Sequence, residues 1–262
     1  MEELQKSSNE GLELKKLGFQ PITKAVEQTY AHIREGINGN RKVFPTKWPK
    51  LNRALLGGLQ PSKLYVIGGR PGVGKSAFSN QLIFDLLDHP KNQGKLIVLY
   101  WSFEMPAYQQ LLRIGSAKTG KSAASLLSVE NELDDLTFKD YVKVMDPYKK
   151  YPVYFNSNAQ VVEDMAKIVL RVSSVFPDKT IINLFDHSRL FKKNKEDSEL
   201  IMLTNLSHKC IELQQSCGCI NIILSQLNRN IEKAERIEQQ FQPMLSDLFG
   251  ADSIGQDKIN EI

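Results

Sequence analysis

Cysteine is scarce in this sequence of 262 residues: Cys210, Cys217 and Cys219 are all there is. Three thiols cannot all pair within one chain, and Cys217-Gly218-Cys219 is too tight for a structural zinc site. They read as reduced thiols near a core, in a reducing compartment. No apolar run approaches the roughly 18 residues of a membrane span, and the start, with Glu2, Glu3 and Lys6, is not that of a secretory leader. The expectation is a cytoplasmic protein with no membrane partner. A strong excess of one charge is missing as well: 34 Lys and Arg stand against 30 Asp and Glu, a net +4 that permits nucleic-acid binding without arguing for it. Internal repeats and low-complexity tracts are absent, which excludes solenoid arrays. What remains, 41% hydrophobic residues, is enough for one large α/β domain with an extension, or two small domains.

The most informative stretch is Gly69-Arg70-Pro71-Gly72-Val73-Gly74-Lys75-Ser76, a complete G-x-x-x-x-G-K-[ST] phosphate loop continued by Ala77. Leu64-Tyr65-Val66-Ile67 before it suits a buried strand, and residues 77–87 after it carry apolar residues at helical spacing. Strand, loop and helix thus fall in the order that phosphate binding requires. Glycines let backbone N–H groups turn inward, the helix N-terminus adds its dipole, and Lys75 supplies a mobile charge for the β- and γ-phosphates. Ser76 is placed to ligate Mg²⁺ through its hydroxyl.

Upstream, Ile22, Ala25, Val26, Tyr30, Ile33 and Ile37 recur at spacings of three and four and predict an amphipathic helix over 21–37, closed by Gly36, Asn38, Gly39 and Asn40. It either packs on a neighbour or folds back on its own domain. Downstream the expected strands are 96–101, 153–155, 180–185 and 220–224. The expected helices begin near Ala107, occupy short pieces of 121–150, and cover 161–175, with Asn158 as a candidate N-cap, and 198–215. Buried strands alternating with helices imply an α/β fold with a mainly parallel sheet and helices on both faces.

In such a sheet ligands gather at the carboxyl ends of the strands. Three polar residues close apolar runs there: Glu104, Asp186 and Gln226. A carboxylate after an apolar strand can hold a metal through water, which suits Asp186. A second can accept a proton from attacking water, which suits Glu104, and a neutral amide can bond a γ-phosphate, which suits Gln226. Each alone has a plainer reading, as a helix cap, a ligand of turn amides and a surface residue respectively. Their joint occurrence behind a phosphate loop favours chemistry.

Several segments together resemble the C-terminal motor domain of DnaB-type replicative helicases. They are Gly57-Gly58-Leu59-Gln60-Pro61, Arg70-Pro71 within the phosphate loop, Ser102-Phe103-Glu104-Met105-Pro106, Ser225-Gln226-Leu227-Asn228-Arg229, Ser246-Asp247-Leu248 and Ser253-Ile254-Gly255-Gln256-Asp257. The resemblance runs from about Val43 to Asp257. It implies a RecA-like P-loop NTPase fold over 44–262, preceded by a polar N-terminus and linker helix over 1–43. It also implies a homo-hexamer, ATP with Mg²⁺, and translocation on single-stranded DNA alongside other replication proteins. In that family's terms Lys75 and Ser76 are nucleotide and metal contacts, Glu104 the catalytic base, Asp186 the Walker B acid and Gln226 the γ-phosphate sensor. The segment after Asn228, with Arg229, Asn230, Lys233 and Arg236, takes the place of a DNA-contacting channel loop, although Glu232, Glu235 and Glu238 also suit a solvated loop.

Departures from the family pattern are visible too. His187-Ser188-Arg189-Leu190 follow Asp186 where the family has an aromatic and a Leu-Gln pair, and Phe249 stands where it has an arginine. The sequence ends at Ile262, before the family's final strands and their arginine finger, so weak hydrolysis is expected. The alternatives are a RecA-like ATPase that is not a helicase, or an ATP-binding interaction protein with little turnover.

Overall fold

The computed structural model describes residues 14–128, 134–186, 191–193, 198–228, 231, 236, 242–244 and 247–248. The chain divides into two units, Met1–Lys42 and Val43–Ile262. In the first, helix α1 (Ile22–Ile37) follows Pro21 and buries none of its residues; Ile22, Ile33 and Ile37 of the amphipathic stripe are all exposed.

The second unit is built on five strands: β1 (Leu64–Gly69), β2 (Leu96–Ser102), β3 (Val153–Asn156), β4 (Thr180–Asp186) and β5 (Ile220–Gln226). All pair in parallel, in the order β1-β5-β4-β2-β3. Between them run α2 (Pro49–Ala54), α3 (Lys75–Asp88), α4 (Ala107–Thr119), α5 (Ala123–Leu127), α6 (Asp135–Met145), α7 (Val162–Val175) and α8 (Glu199–Cys217). Every residue of β2 and β4 is buried, as expected for central strands covered on both faces.

Because side chains alternate across a strand, the sheet sorts its residues by position. Ile97, Leu99 and Trp101 of β2 join Ile181 and Phe185 of β4 in a core with α7 and α8. Leu96, Val98 and Tyr100 join Ile182 and Leu184 in a second core with α3 and the segment holding Phe44, Leu55 and Leu59. Even-numbered residues of β2 and β4 therefore face α3, the helix that the phosphate loop opens. Phe44 and Leu59 exchange two backbone hydrogen bonds, of 2.8 and 2.9 Å, and Gly58 lies against that contact at φ +146°.

Two sequence expectations need revision. Asn158 does not cap α7: the helix starts after Val161 with no side-chain cap, and the Asn158 N–H instead donates to Asn156 Oδ1 at 2.9 Å. The strands entering the phosphate loop and ending at Gln226 each extend two residues beyond their apolar runs, because parallel pairing carries Gly68 and Gly69 against Ser225 and Gln226. The helix over 198–215 forms as α8, capped by Ser198 Oγ accepting from the Ile201 N–H. All three cysteines are free thiols, two of them buried.

Candidate nucleotide site

The phosphate loop spans the gap between β1 and α3. Gly72 and Gly74 hold φ of +77° and +98°, left-handed values that a side chain would strain, and Gly74 is the residue from which α3 starts. Arg70, Pro71 and Val73 complete the turn, with the Val73 N–H donating to the Arg70 carbonyl at 3.3 Å. Lys75 Nζ donates to the carbonyls of Gly69 and Arg70 at 2.9 and 3.1 Å, which keeps the ammonium folded over its own loop. Burial lowers the lysine's pKa, and Arg70 lowers it further, while Asp186 and Glu104 pull it back up. Those two carboxylates and Arg70 therefore all act electrostatically on this one ammonium. Ser76 is half-buried in the first turn of α3. Ala77, one residue on, lines a cavity of about 90 Å³ with Asn80, Phe84, Arg113 and Tyr148.

The polar strand ends converge on this loop. Gln226 closes β5 in direct register with Gly69, and Arg70 Nη1 donates to the Leu227 carbonyl at 3.2 Å. Asp186 closes β4 opposite Ser102 of β2, and its side chain is buried. Glu104 is exposed in the turn that follows β2. Ser102 Oγ donates to the Met105 carbonyl at 2.5 Å, and the Phe103 N–H donates to the Asp186 carbonyl at 3.1 Å, so both ends of that turn are tied down.

Sequence reasoning missed the group that surrounds Asp186. Tyr100 Oη and Gln110 Nε2 both donate to Asp186 Oδ2, at 3.3 and 3.2 Å. Burial, with Asp186 alongside, pushes the phenol's pKa far up, so it stays protonated and remains a donor. Gln110 also donates to Ser102 Oγ at 3.3 Å and accepts from Asn80 Nδ2 at 2.9 Å. A signal existed for one member: Asn80 lies on the stripe of α3 that carries Ile83, Phe84 and Leu87, where an apolar residue is expected.

Of the residues expected to contact DNA, Arg229, Asn230 and Lys233 lie outside the described residues, as do His187 to Leu190, Ser246, Phe249 and the stretch 253–257. Arg236 is described, and its guanidinium is engaged within the chain. It donates to both carboxylate oxygens of Asp247 at 3.0 Å and to the Gln242 carbonyl at 2.6 Å, with only 11% of the side chain exposed. Any contact of Arg236 with a DNA phosphate would therefore compete with Asp247 for the same guanidinium. Burial opposes ionisation of Asp247, but the hydrogen bonds from Arg236 and the Met244 N–H, with the arginine's charge, outweigh it and hold the pKa below the ordinary value. The pair therefore stabilises the fold above the usual carboxylate range, and this is lost as pH falls through the depressed pKa. Arg236→Met should cost about 2 kcal/mol at neutral pH. Urea unfolding at pH 7 and pH 3 tests this, with the difference between the proteins shrinking in acid; an equal difference at both would exclude the pair as its source.

The site and the sheet together define a P-loop NTPase of RecA-like fold. The sequence matches the model of the DnaB-like helicase C terminal domain over residues 44–258, and the chain belongs to that family. It is 26% identical over 239 residues to the replicative DNA helicase DnaB of Buchnera aphidicola, covering 89% of this chain and 47% of that protein. To DnaB of Helicobacter pylori it is 25% identical over 244 residues, 92% of this chain and 48% of that one. The chain thus spans about half the length of these relatives. Among solved structures, an isolated ATPase domain superposes with a TM-score of 0.75 at 21% identity, over 92% of this chain and 81% of that one. A DnaB-like replicative helicase, studied with its interactions with primase, gives the same score at 21% identity, over 97% and 59%. Among the described residues no helix is long and apolar enough to cross a membrane.

Proposed function

We propose that this domain is the ATP-hydrolysing motor of a DnaB-type replicative helicase, driving movement along single-stranded DNA as part of a homo-hexamer. The observation that carries the reading is the phosphate loop running from β1 into α3, with Gln226 in register with Gly69 and with Asp186 and Ser102 closing the paired strands β4 and β2. In this reading residues 69–77 hold the triphosphate, with Lys75 turning from the loop carbonyls to the β- and γ-phosphates. Glu104 takes the proton from an in-line water, and Gln226 bonds the γ-phosphate and passes its loss to the segment that begins at Leu227.

The residues fit a hard divalent cation. Ser76 and Asp186 offer oxygen donors, and among the described hydrogen bonds none engages Asp186 Oδ1. No group of three or more His, Cys, Asp or Glu side chains forms a metal cage among the described residues. When bound, Mg²⁺ would neutralise charge growing on the transferred phosphoryl group. For the DNA contact, Arg229, Asn230, Lys233 and Arg236 are the candidates, the last in competition with its pairing to Asp247. α1 is the candidate for docking on an adjacent subunit, and other replication proteins are candidate partners.

The test is ATP hydrolysis by the purified chain with and without single-stranded DNA. Lys75→Ala serves as the blank and should lower nucleotide affinity at least tenfold with the circular dichroism spectrum kept. Turnover that rises with DNA supports the motor. Nucleotide binding with negligible turnover under both conditions would instead favour an ATP-binding interaction protein.

A further inference from the structure

Gln110 of α4 has no exposed surface, yet it is polar, and its amide reaches the last residues of β2 and β4, Ser102 and Asp186. A carboxylate such as Asp186 only accepts hydrogen bonds, so the amide must turn its NH₂ toward Asp186. With both of those hydrogens given to Asp186 and Ser102, the amide oxygen is left facing Asn80, which must donate. The orientation of each member is thus dictated by the charge at one end. One side chain thereby joins three parts of the site: the acid at the end of β4, the serine that closes the Glu104 turn, and α3, which starts at Lys75 and Ser76.

We propose that Gln110, with Tyr100 beside it, is a positioning residue that holds Asp186 in the rotamer needed for the metal that accompanies the nucleotide, by occupying Oδ2 and leaving Oδ1 available. The inference rests on the nucleotide-site reading above. Without the amide, Asp186 keeps a single neutral donor, the phenol, and is free to turn about its side-chain torsions. Groups that orient metal-binding carboxylates typically change metal affinity by about 10- to 100-fold when removed.

The experiment titrates a fluorescent ATP analogue into the full chain in EDTA and across a Mg²⁺ series. It compares the native chain, Gln110→Met, which keeps length without a donor, and the double variant Asn80→Leu/Gln110→Met, which also removes the amide left without its acceptor. Both variants should bind nucleotide in EDTA within about twofold of the native chain but need at least about tenfold more Mg²⁺ for half of the metal-dependent gain. The double variant restores an apolar core, so recovered thermal stability without recovered Mg²⁺ response separates positioning from packing. A native Mg²⁺ response in the double variant overturns the proposal and leaves the nucleotide site standing. Failure of the native chain to bind the analogue at any Mg²⁺ concentration overturns both.

Discussion

Glu104→Gln should bind ATP within about twofold of the native affinity and turn it over roughly 10²- to 10⁴-fold more slowly, the range that loss of a general base produces. The substitution keeps length and shape and removes only the ability to take a proton. Its surroundings confine the disturbance: Glu104 is exposed, and the turn beneath it is held by Ser102 and by the backbone bond from Phe103 to Asp186, neither of which involves the Glu104 side chain. Lys75 would lose one of the two negative charges that favour its protonated form but would keep Asp186. Single-turnover hydrolysis alongside equilibrium binding checks the split. Turnover within about threefold of native would remove Glu104 from the role of base and point to another residue.

Gly58→Ala should cost the domain at least about 3 kcal/mol and lower its Tm by roughly 6–12 °C, a range set by the size of the domain. A Cβ at Gly58 would stand 2.3 Å from the Phe44 carbonyl oxygen and 2.6 Å from the Pro45 nitrogen. These are backbone atoms that cannot swing aside, and the backbone at φ +146° already disfavours a side chain. Relief would require breaking the paired hydrogen bonds between Phe44 and Leu59, and with them a wall of the core against α3. Gly57→Ala is the comparison: its φ of +116° is also strained, but its nearest neighbour would be a Val43 methyl at an ordinary 3.4 Å. Thermal melts of the two variants should differ by several degrees. Equal melts would mean that close approach at Gly58 carries no weight of its own.

The parts of this site that were legible in the sequence are those written locally. Leu64 to Ile67, the glycines after them and the helical spacing from Ala77 onward declare strand, turn and helix within one short stretch, and the polar residue that ends an apolar run marks a strand terminus. Spatial order leaves no such mark: nothing near Ile220 announces that β5 will enter between β1 and β4. The amide network was hidden for the same reason, since Asn80, Tyr100, Gln110 and Asp186 are brought together by tertiary packing. Asn158 misled because asparagine suits both helix caps and turns, and here Asn156 claimed its N–H. The pairing of Arg236 was hidden likewise, because composition reports a charge but cannot report the buried Asp247 that holds it.

Strand register gives the upper edge of the sheet two levels. Phe185 pairs with Ile223, so β5 runs on to Gln226, with Gly69 of β1 beside it, while β4 and β2 stop together at Asp186 and Ser102. At about 3.3 Å per residue, the landing formed by Gly69 and Gln226 stands roughly 6–7 Å above the floor at Asp186. Beyond its through-space charge, a short carboxylate on that floor can engage cargo resting on the landing only by way of something that bridges the drop. On the proposed reading, a hydrated cation has the dimensions for that task. Glu104 is not bound to that floor by strand pairing, since it lies in the exposed turn that leaves β2 after Ser102.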